Sequence, residues 1–558
     1  MTRLQHFSRR QFVEAGASIV ASGLVVGPLH NHLPVLPVPP VPPVLPVLPV
    51  LPVLPVLPVL EWTVPQFQSA MKSGRYTSLQ ICRLYLDRIR QLDQKGPALK
   101  SVIEINPDAE ELARQADTER KAGKVRGPLH GIPILIKDNI GTDDRMETTA
   151  GSLALVGHRP SRDAFIVERL RAAGAIIIGK TNLSEWANFR STNSTSGWSG
   201  RGGLTRSPYA LDRNPCGSSS GTGAAIAANF AAIGIGTETD GSIVCPSSHN
   251  ALVGIKPTVG LVSRSGIIPI SHTQDTAGPM CRTVTDAAIL LGVLAGTDPA
   301  DTATADAEAH LQHDYTSFLD ARGLKGARIG VARQSFFGYS TPTDKLAEEA
   351  IALLRAEGAA IVDPADVPHA DDYGSAENTV LQYDFKADLR VYLASLGAGA
   401  PRSLRDLMAF NTAHAREEMP YFGQEIFEQS AERGPLTDDA YIEALAHCRR
   451  LSRTEGLDAL FAEHKLDAVI APTGGPPWTT DLVNGDHFAG SSSSPAAVSG
   501  YPNITVPMGQ VFGLPVGLSF IGLAWSEGRL IKLAYAYEQA SKARKPPTFR
   551  PTVDGQRS

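Results

Sequence analysis

The sequence predicts an α/β protein in which a large mixed β-sheet is covered by helices on both faces, folded as a single large domain. Short apolar runs, each long enough for one strand, alternate with segments that fit helices, and this alternation favours a mixed or parallel sheet with two covered faces. The composition, 42% hydrophobic and 20% charged over 558 residues, is that of a globular protein with a large core. The last apolar runs are punctuated by Gly and Pro and suit central strands.

The elements can be placed in order along the chain. Helical periodicity is clearest at residues 76–93, where Thr77 or Ser78 fits the cap. Further helices are expected over residues 108–121, 161–173, 285–295, 343–357 and 529–540, and within a more charged segment that ends near residue 463. Strands are expected over residues 131–137, 175–179, 327–332, 359–362, 466–470, 501–507 and 513–522. The polar run over residues 180–215 lacks periodicity and is expected to be a functional loop.

The first 29 residues are interpreted as a twin-arginine export signal. Residues 8–13, Ser-Arg-Arg-Gln-Phe-Val, precede a modestly apolar run from Ala15 to Gly27, as in signals of this type. A basic N-terminus without function is the alternative. The signal predicts a periplasmic or extracellular protein, and cleavage or retention of the signal as an anchor stays open.

Residues 30–60 are interpreted as a low-complexity spacer. Positions 33–60 are almost entirely Leu, Pro and Val, mostly as Leu-Pro-Val repeats. A proline at every third position rules out a continuous helix and matches the three-residue turn of polyproline II. One interpretation is a neutral repeat expansion. The other is a spacer that brings residues 15–60 close to a membrane or cell wall.

Charge and cysteine content limit the classes of partner. The formal net charge is −5 and no basic stripe is present, so nucleic acid is not an expected partner. The five cysteines lack metal-type spacing and predict no disulfide framework, and Cys216 and Cys245 are interpreted as packing residues. No metal or cofactor is expected, and the 14 histidines are interpreted as structural or surface residues.

The stretch over residues 216–257 carries the chemistry. Ser218 and Ser242 lie 24 residues apart, each in a glycine-containing loop. A helix of about three turns and a short strand fit between them and could bring the chain back, so the two serines can act as nucleophile and proton relay. Neither serine lies in a Gly-x-Ser-x-Gly elbow, although a Ser-His-Asp triad stays open. The alternative base is a lysine kept neutral by burial, and Lys137, which ends an apolar strand, is the best-placed candidate.

Several motifs of the chain resemble those of the amidase signature family. They are Gly-Ile-Pro at 131–133 with Lys-Asp-Asn at 137–139, Gly-Ser-Ser at 217–219, Gly-Ser-Ile at 241–243, Gly-Ile-Lys-Pro-Thr at 254–258 and Gly-Leu-Pro-Val-Gly at 513–517. The amino-acid sequences of residues 236–246 and 274–280 are most similar to those of the bacterial peptide amidases of that family. The resemblance implies a catalytic domain over residues 61–545, followed by a tail over 546–558. It also implies hydrolysis of C-terminal carboxamides of peptides with release of ammonia.

The resemblance implies a role for each motif residue. Ser242 would be the nucleophile that forms an acyl-enzyme, Ser218 the proton relay and Lys137 the base. Ser219 would support the relay loop by hydrogen bonding. The oxyanion hole would consist of backbone N–H groups, those of Thr239, Asp240, Gly241 and Ser242.

Substrate contacts are predicted on weaker grounds. Many family members have Asp-x-Gly-Gly-Ser-Ile-Arg around the nucleophile, whereas this chain has Glu238, Asp240 and Val244 at the differing positions. The Asp240 carboxylate is expected to face away from the oxyanion hole, because only the backbone is needed there. The long polar loop supplies candidate substrate-binding residues, namely Asn182, Asn193 and Trp198.

Other functions remain open from sequence alone. They are an amidase of small or fatty-acid amides, the glutaminase subunit of a tRNA-dependent amidotransferase, and a non-catalytic exported binding protein. An export signal argues against a tRNA-linked role, and an intact set of Lys137, Ser218 and Ser242 argues against a non-catalytic one. A lysine base also predicts activity that is lost on acidification and held at neutral to alkaline pH.

Overall fold

A computed structural model describes residues 57–312 and 314–553. The predicted export signal at residues 1–29 and nearly all of the predicted spacer lie outside these ranges. The described part contains one eleven-stranded sheet and a two-stranded ribbon. The α/β class with a large mixed sheet is therefore confirmed.

The large sheet combines parallel and antiparallel pairs. Its strand order is β1-β3-β2-β6-β8-β7-β12-β13-β11-β9-β10, whereas β4 and β5 form the separate ribbon. Strand β2 runs parallel to β3 and β6, and β9 runs parallel to β10 and β11, while the other pairs of the large sheet are antiparallel. In chain order, the strands are β1 Val102–Ile105, β2 Pro133–Lys137, β3 Ile176–Thr181, β4 Trp198–Ser199, β5 Gly203–Leu204, β6 Ile233–Glu238, β7 Val253–Lys256, β8 Thr276–Cys281, β9 Arg328–Val331, β10 Ala360–Val362, β11 Ala468–Pro472, β12 Asn503–Val511 and β13 Leu514–Ile521.

Sixteen α-helices lie in the described ranges. They are α1 Val64–Lys72, α2 Ser78–Arg88, α3 Ala109–Lys121, α4 Phe165–Ala172, α5 Ser220–Ala227, α6 Val244–His249, α7 Val284–Leu294, α8 Thr341–Ala356, α9 Gly374–Ser395, α10 Leu404–Ala413, α11 Ala415–Glu418, α12 Glu425–Ala431, α13 Asp439–Arg449, α14 Asp458–His464, α15 Ser494–Ser499 and α16 Glu527–Ser541. None of these helices has the length and apolar character that a membrane crossing needs.

Burial explains the elements around the predicted site. Strand β2, with the sequence Pro-Ile-Leu-Ile-Lys, is buried at all five positions, as expected for a strand between two parallel neighbours in a covered sheet. Helix α5 is buried at all eight positions and lacks a polar face. At Gly221, in its first turn, a Cβ atom would come within 2.4 Å of the carbonyl oxygens of Asn182 and Ser101. Glycine is therefore required for this helix to pack so closely.

The packed part extends beyond the predicted domain limits at both ends. Leu57 and Val59 are buried, so packing begins before Glu61. In the predicted tail, Phe549 is buried, its N–H group donates to the Pro208 carbonyl, and the carbonyl of Arg550 accepts from the N–H group of Leu211. Residues 549–550 therefore form part of the folded structure.

Strand β8 was not predicted as a strand. Its sequence, Thr-Ala-Gly-Pro-Met-Cys, carries a glycine and a proline, both of which are unfavourable in strands. At Gly278 a Cβ atom would lie 2.0 Å from the Ile255 carbonyl oxygen. The close approach of the neighbouring strand therefore requires a glycine here, although the sequence pattern alone indicates a residue that interrupts a strand.

Candidate active site

Lys137 lies at the end of β2, in the interior of the protein. Its side chain is fully buried, and Nζ lies 2.7 Å from Ser218 Oγ. The same nitrogen lies 2.9 Å from Thr237 Oγ1 and 3.2 Å from the Thr237 carbonyl oxygen. Asn139 donates to the Thr237 hydroxyl at 3.0 Å and fixes its orientation. The structure thus places a lysine and a serine in direct hydrogen-bond contact.

The surroundings of Lys137 favour the neutral amine. Burial lowers the pKa of Lys137 to about 7, against the opposing effect of the Asp275 and Glu238 carboxylates. A neutral amine has two N–H groups and one lone pair. Thr237 offers two acceptors for the N–H groups, which leaves the lone pair for the Ser218 hydroxyl proton. The geometry therefore suits a general base at neutral pH.

Two neighbouring serines connect the loops that carry the candidate residues. Ser218 follows a cis peptide bond with Gly217, and its carbonyl accepts from the Ser184 N–H group. The Ser219 N–H group donates to the Ser242 carbonyl at 3.2 Å, and Ser219 Oγ donates to the Thr237 carbonyl at 3.1 Å. Ser219 therefore links the loop of Ser218, the loop of Ser242 and strand β6, which agrees with its expected supporting position.

Ser242 is half-buried in the loop between β6 and α6. Gly241, directly before it, has φ of +79°, a backbone conformation that favours glycine. Glu238 Oε2 accepts the next two N–H groups, those of Ile243 and Val244, at 2.7 and 3.0 Å. Within residues 57–312 and 314–553, the N–H groups of residues 239–242 donate to no protein acceptor. These four donors remain available to a ligand atom.

The Asp240 side chain points away from these donors. Its carboxylate accepts hydrogen bonds from Ser493 Oγ at 2.5 Å and Ser494 Oγ at 2.7 Å, at the start of α15. The expectation that only the backbone of Asp240 faces the site agrees with this arrangement.

The three residues predicted to contact substrate lie in different settings. Asn182 is buried, and its amide group donates to the carbonyls of Gly197 and Gly203 within its own loop. Trp198 is buried against Phe422, with their ring centroids 5.1 Å apart. Asn193 is exposed. The structure therefore shows Asn182 and Trp198 bracing the long loop, and brings none of the three side chains into hydrogen-bond contact with the Lys137–Ser218 pair.

A cavity of about 330 Å³ begins beside this site. Its inner end is formed by Asn139, Thr237 and Thr239, next to the lysine and the free N–H groups. Sequence reasoning did not select the walls, which come from the run after Gly266 and from α9. The walls are mainly apolar, and the exposed rim is mixed. The lining includes Ile268, Ile270 and Tyr392 on the walls, with Arg162, His272, Asp388 and Val391 on the rim.

A disulfide bond joins Cys216 and Cys245. The sequence-based interpretation of both as packing residues is therefore wrong. Cys216 lies two residues before Ser218, and Cys245 three residues after Ser242. The bond thus crosslinks the two serine loops. Spacing could not reveal it, because five scattered cysteines allow many pairings and only the fold brings these two together.

Removing this crosslink is expected to destabilise the protein. The two cysteines are 29 residues apart in sequence, and closing a loop of that length stabilises the folded state by about 3 kcal/mol in the chain-entropy description. We expect the variant with both Cys216→Ser and Cys245→Ser to lose up to about that amount of unfolding free energy in urea. Cys82→Ser, which replaces a buried cysteine outside any disulfide, is the control. An unchanged urea midpoint in the double variant would contradict the crosslink.

Comparison with known proteins agrees with the motifs. Residues 80–531 match the profile of the family described as Amidase. The solved structure of native peptide amidase from Stenotrophomonas maltophilia is 53% identical, with a TM-score of 0.85, and the match covers 88% of this chain and 100% of that chain. A probable amidase of Arabidopsis thaliana is 42% identical over 498 residues, which cover 88% of this chain and 92% of the relative. A glutamyl-tRNA(Gln) amidotransferase subunit of Thermoanaerobacter pseudethanolicus is 32% identical over 501 residues, which cover 87% of this chain and 97% of the relative. The chain therefore belongs to the amidase signature family, and the protein is an amidase that hydrolyses C–N bonds.

Proposed function

We propose that this amidase hydrolyses the C-terminal carboxamides of peptides, with Ser242 as nucleophile, Ser218 as proton relay and Lys137 as base. The observation that carries the proposal is the buried contact of 2.7 Å between Lys137 Nζ and Ser218 Oγ, in a loop that is hydrogen-bonded to Ser242 through Ser219. The arrangement supplies a nucleophile, a route for its proton and a base of suitable strength.

The proposed reaction begins with two proton transfers. Neutral Lys137 takes the hydroxyl proton of Ser218 while Ser218 takes the hydroxyl proton of Ser242. Ser242 Oγ then bonds to the amide carbon, and the carbonyl π-electrons move to oxygen. When the C–N bond breaks, the proton held by Lys137 passes through Ser218 to the leaving nitrogen, which departs as ammonia. Water hydrolyses the Ser242 ester by the same proton route in reverse and restores the free enzyme.

The backbone of residues 239–242 would stabilise the tetrahedral intermediate. Its four N–H groups have no protein acceptor in the described ranges, and Glu238 holds the following turn by accepting from Ile243 and Val244. Donors that are already oriented towards a developing oxyanion contribute on the order of 3 kcal/mol each.

The cavity favours a peptide over a long hydrocarbon chain. Ile268, Ile270 and Tyr392 provide apolar contacts, whereas Arg162, His272 and Asp388 offer polar partners at the rim, where a peptide backbone would leave the protein. Similarity to a peptide amidase supports the same substrate class. Amides of small or fatty acids are the alternative within this chemistry. A role as an amidotransferase subunit has less support, because that relative is the more distant one.

Ammonia release from a panel of amides tests the proposal. We expect C-terminally amidated dipeptides to be hydrolysed with a kcat/KM at least about tenfold above that for free amino-acid amides, a long-chain fatty amide or glutamine, because only the peptides can use both the apolar walls and the polar rim of the cavity. The reaction should leave the internal peptide bond intact, which mass spectrometry of the product checks. Faster hydrolysis of the fatty amide or of glutamine would contradict the proposed specificity while keeping the chemistry.

Export remains part of the proposal. The paired arginines at positions 9 and 10 support a twin-arginine route to the periplasm or the cell exterior. The Cys216–Cys245 disulfide supports the same location, since disulfides persist mainly in oxidising compartments. The proximity of residues 15–60 to a membrane or cell wall likewise stays a proposal.

A further inference from the structure

A second group of buried acidic and amide side chains lies behind the loop of residues 239–242. It consists of Asp240 in that loop, Gln274 just before β8 and Glu377 in the first turn of α9. Gln274 Nε2 donates to Glu377 Oε1 at 2.9 Å and to the Thr239 carbonyl oxygen at 3.3 Å. The carboxyl groups of Glu377 and Asp240 lie close enough to influence each other electrostatically. The proposed proton route from Ser242 to Lys137 does not use these three side chains.

This group controls the orientation of the peptide bond between Thr239 and Asp240. The carbonyl of a trans peptide and its N–H group point in opposite directions within one plane. Gln274 holds the Thr239 carbonyl on the side of α9. The Asp240 N–H group must therefore point to the other side, as one of the free donors of the loop. Gln274 is in turn oriented by Glu377.

Two carboxyl groups in one buried site favour a single negative charge. Ser493 and Ser494 both donate to Asp240, which stabilises Asp240 as the anion. Burial, followed by the negative charge of Asp240, raises the pKa of Glu377 to about 8. A proton on Glu377 also removes the repulsion between the two carboxylates. At neutral pH, Glu377 is thus the neutral acid of the pair.

Within the described part of the chain, other ionisable groups also face the pair. Tyr373 lies one turn before Glu377, and Cys448 of α13 faces it. Lys256 of β7 and Glu238 of β6 act on Asp240 from the sheet. Burial raises the pKa values of both Tyr373 and Cys448, so these two groups stay neutral in the range in which Glu377 titrates. Burial lowers the pKa of Lys256 to about 8, so Lys256 titrates in the same range, and only the Glu377→Gln variant separates the two effects.

We propose that Glu377 is a positioning residue for the oxyanion hole. As a neutral acid, Glu377 acts on the hole through Gln274 and Asp240, and its ionisation lowers the hydrolysis rate at alkaline pH. The inference rests on the proposed function, since it assumes that residues 239–242 bind the oxyanion. Ionised Glu377 places a second negative charge beside a loop that must stabilise a negative oxygen. It also repels the Asp240 carboxylate, which belongs to that loop, so the loop is held less firmly.

The test is a profile of kcat and KM between pH 6 and pH 10 for a dipeptide amide. For the unaltered enzyme, we expect kcat to fall about tenfold between pH 7.5 and pH 9.5, with KM changing less, because the added charge opposes the transition state. Glu377→Gln keeps an acceptor for Gln274 without an ionisable group, so its kcat should stay level over that range. Gln274→Met, which cannot donate to the Thr239 carbonyl, should lower kcat at every pH while KM changes less.

Glu538→Gln is the matched control. Glu538 lies on α16, where burial raises its pKa to about 7, and it accepts from the Val284 N–H group rather than from the active-site loop. This variant should keep the alkaline fall. Thermal unfolding of each variant checks that it is folded.

Two results would overturn the positioning role. One is an alkaline fall that persists unchanged in Glu377→Gln, and the other is a Gln274→Met enzyme with unaltered kcat. Either result leaves the proposed function standing as long as the unaltered enzyme releases ammonia from the dipeptide amide. Absence of ammonia release from the unaltered enzyme overturns the proposed function itself.

Discussion

Ser242→Ala is expected to lower kcat for carboxamide hydrolysis by at least about 10⁴-fold, because it removes the hydroxyl that forms the acyl-enzyme in the proposed mechanism. Ser218→Ala should cost nearly as much, since Ser218 is the contact between Lys137 and the nucleophile in the proposed route. Their effects should not add in the double variant, because the residues act as one unit. Ammonia release under saturating dipeptide amide, with and without each substitution, measures the three effects.

Ser220→Ala provides the control for these two variants. Ser220 is a buried serine two residues after Ser218, and its hydroxyl lies 3.4 Å from Ser184 Oγ, without contact with Lys137. Its loss should change kcat by only a few fold. Substantial activity in Ser242→Ala, with ordinary activity in the control, would show that another residue is the nucleophile.

Lys137→Met is expected to reduce kcat by about 10³- to 10⁴-fold, since methionine fills similar space but cannot accept a proton. In the unaltered enzyme, Lys137 must be neutral to act. Burial lowers its pKa to about 7, so kcat/KM should fall about tenfold per pH unit below pH 7. This acid limb, together with the alkaline fall assigned to Glu377, gives kcat/KM a narrow maximum just above pH 7. A rate that stays flat down to about pH 4 would exclude a lysine base.

Lys180 allows a matched comparison. It is also fully buried, on neighbouring strand β3, and burial lowers its pKa to about 8. Its Nζ donates to the Ile140 carbonyl and to Thr148 Oγ1, however, and not to a serine of the candidate site. Lys180→Met is expected to lower stability while the folded enzyme keeps the acid limb. Loss of that limb in Lys180→Met would contradict the assignment of the base to Lys137.

The parts of the site that are local in sequence could be predicted. Lys137 ends a short apolar run, and such a run in an α/β protein favours a covered strand whose last side chain is buried. Ser218 and Ser242 lie in glycine-containing loops that flank a helix and a strand. Helix α5, with eight residues, is shorter than the expected helix of about three turns, but together with strand β6 it returns the chain, and the Ser219 N–H group donates to the Ser242 carbonyl.

The parts that depend on distant segments could not be predicted. Glu377 and Gln274 lie far apart in the sequence. A glutamate in a helix-rich segment resembles an ordinary surface residue, and only the packing of α9 brings it to Gln274. The Cys216–Cys245 pairing depends in the same way on the fold. For Asn182 and Trp198, the fold adds a role that the polar loop did not suggest, since both side chains stabilise the loop itself; their contact with substrate stays a prediction.

The packing of the C-terminal segment affects how the enzyme can be engineered. Tyr209 donates to the Lys545 carbonyl, and residues 549–550 are hydrogen-bonded to the backbone of Pro208 and Leu211, a few positions before Cys216. Residues 545–550 therefore brace the segment that leads to Ser218. A fusion partner or affinity tag attached directly after Phe549 would disturb the hydrogen bonds of this segment. A linker that starts after residue 553 keeps them.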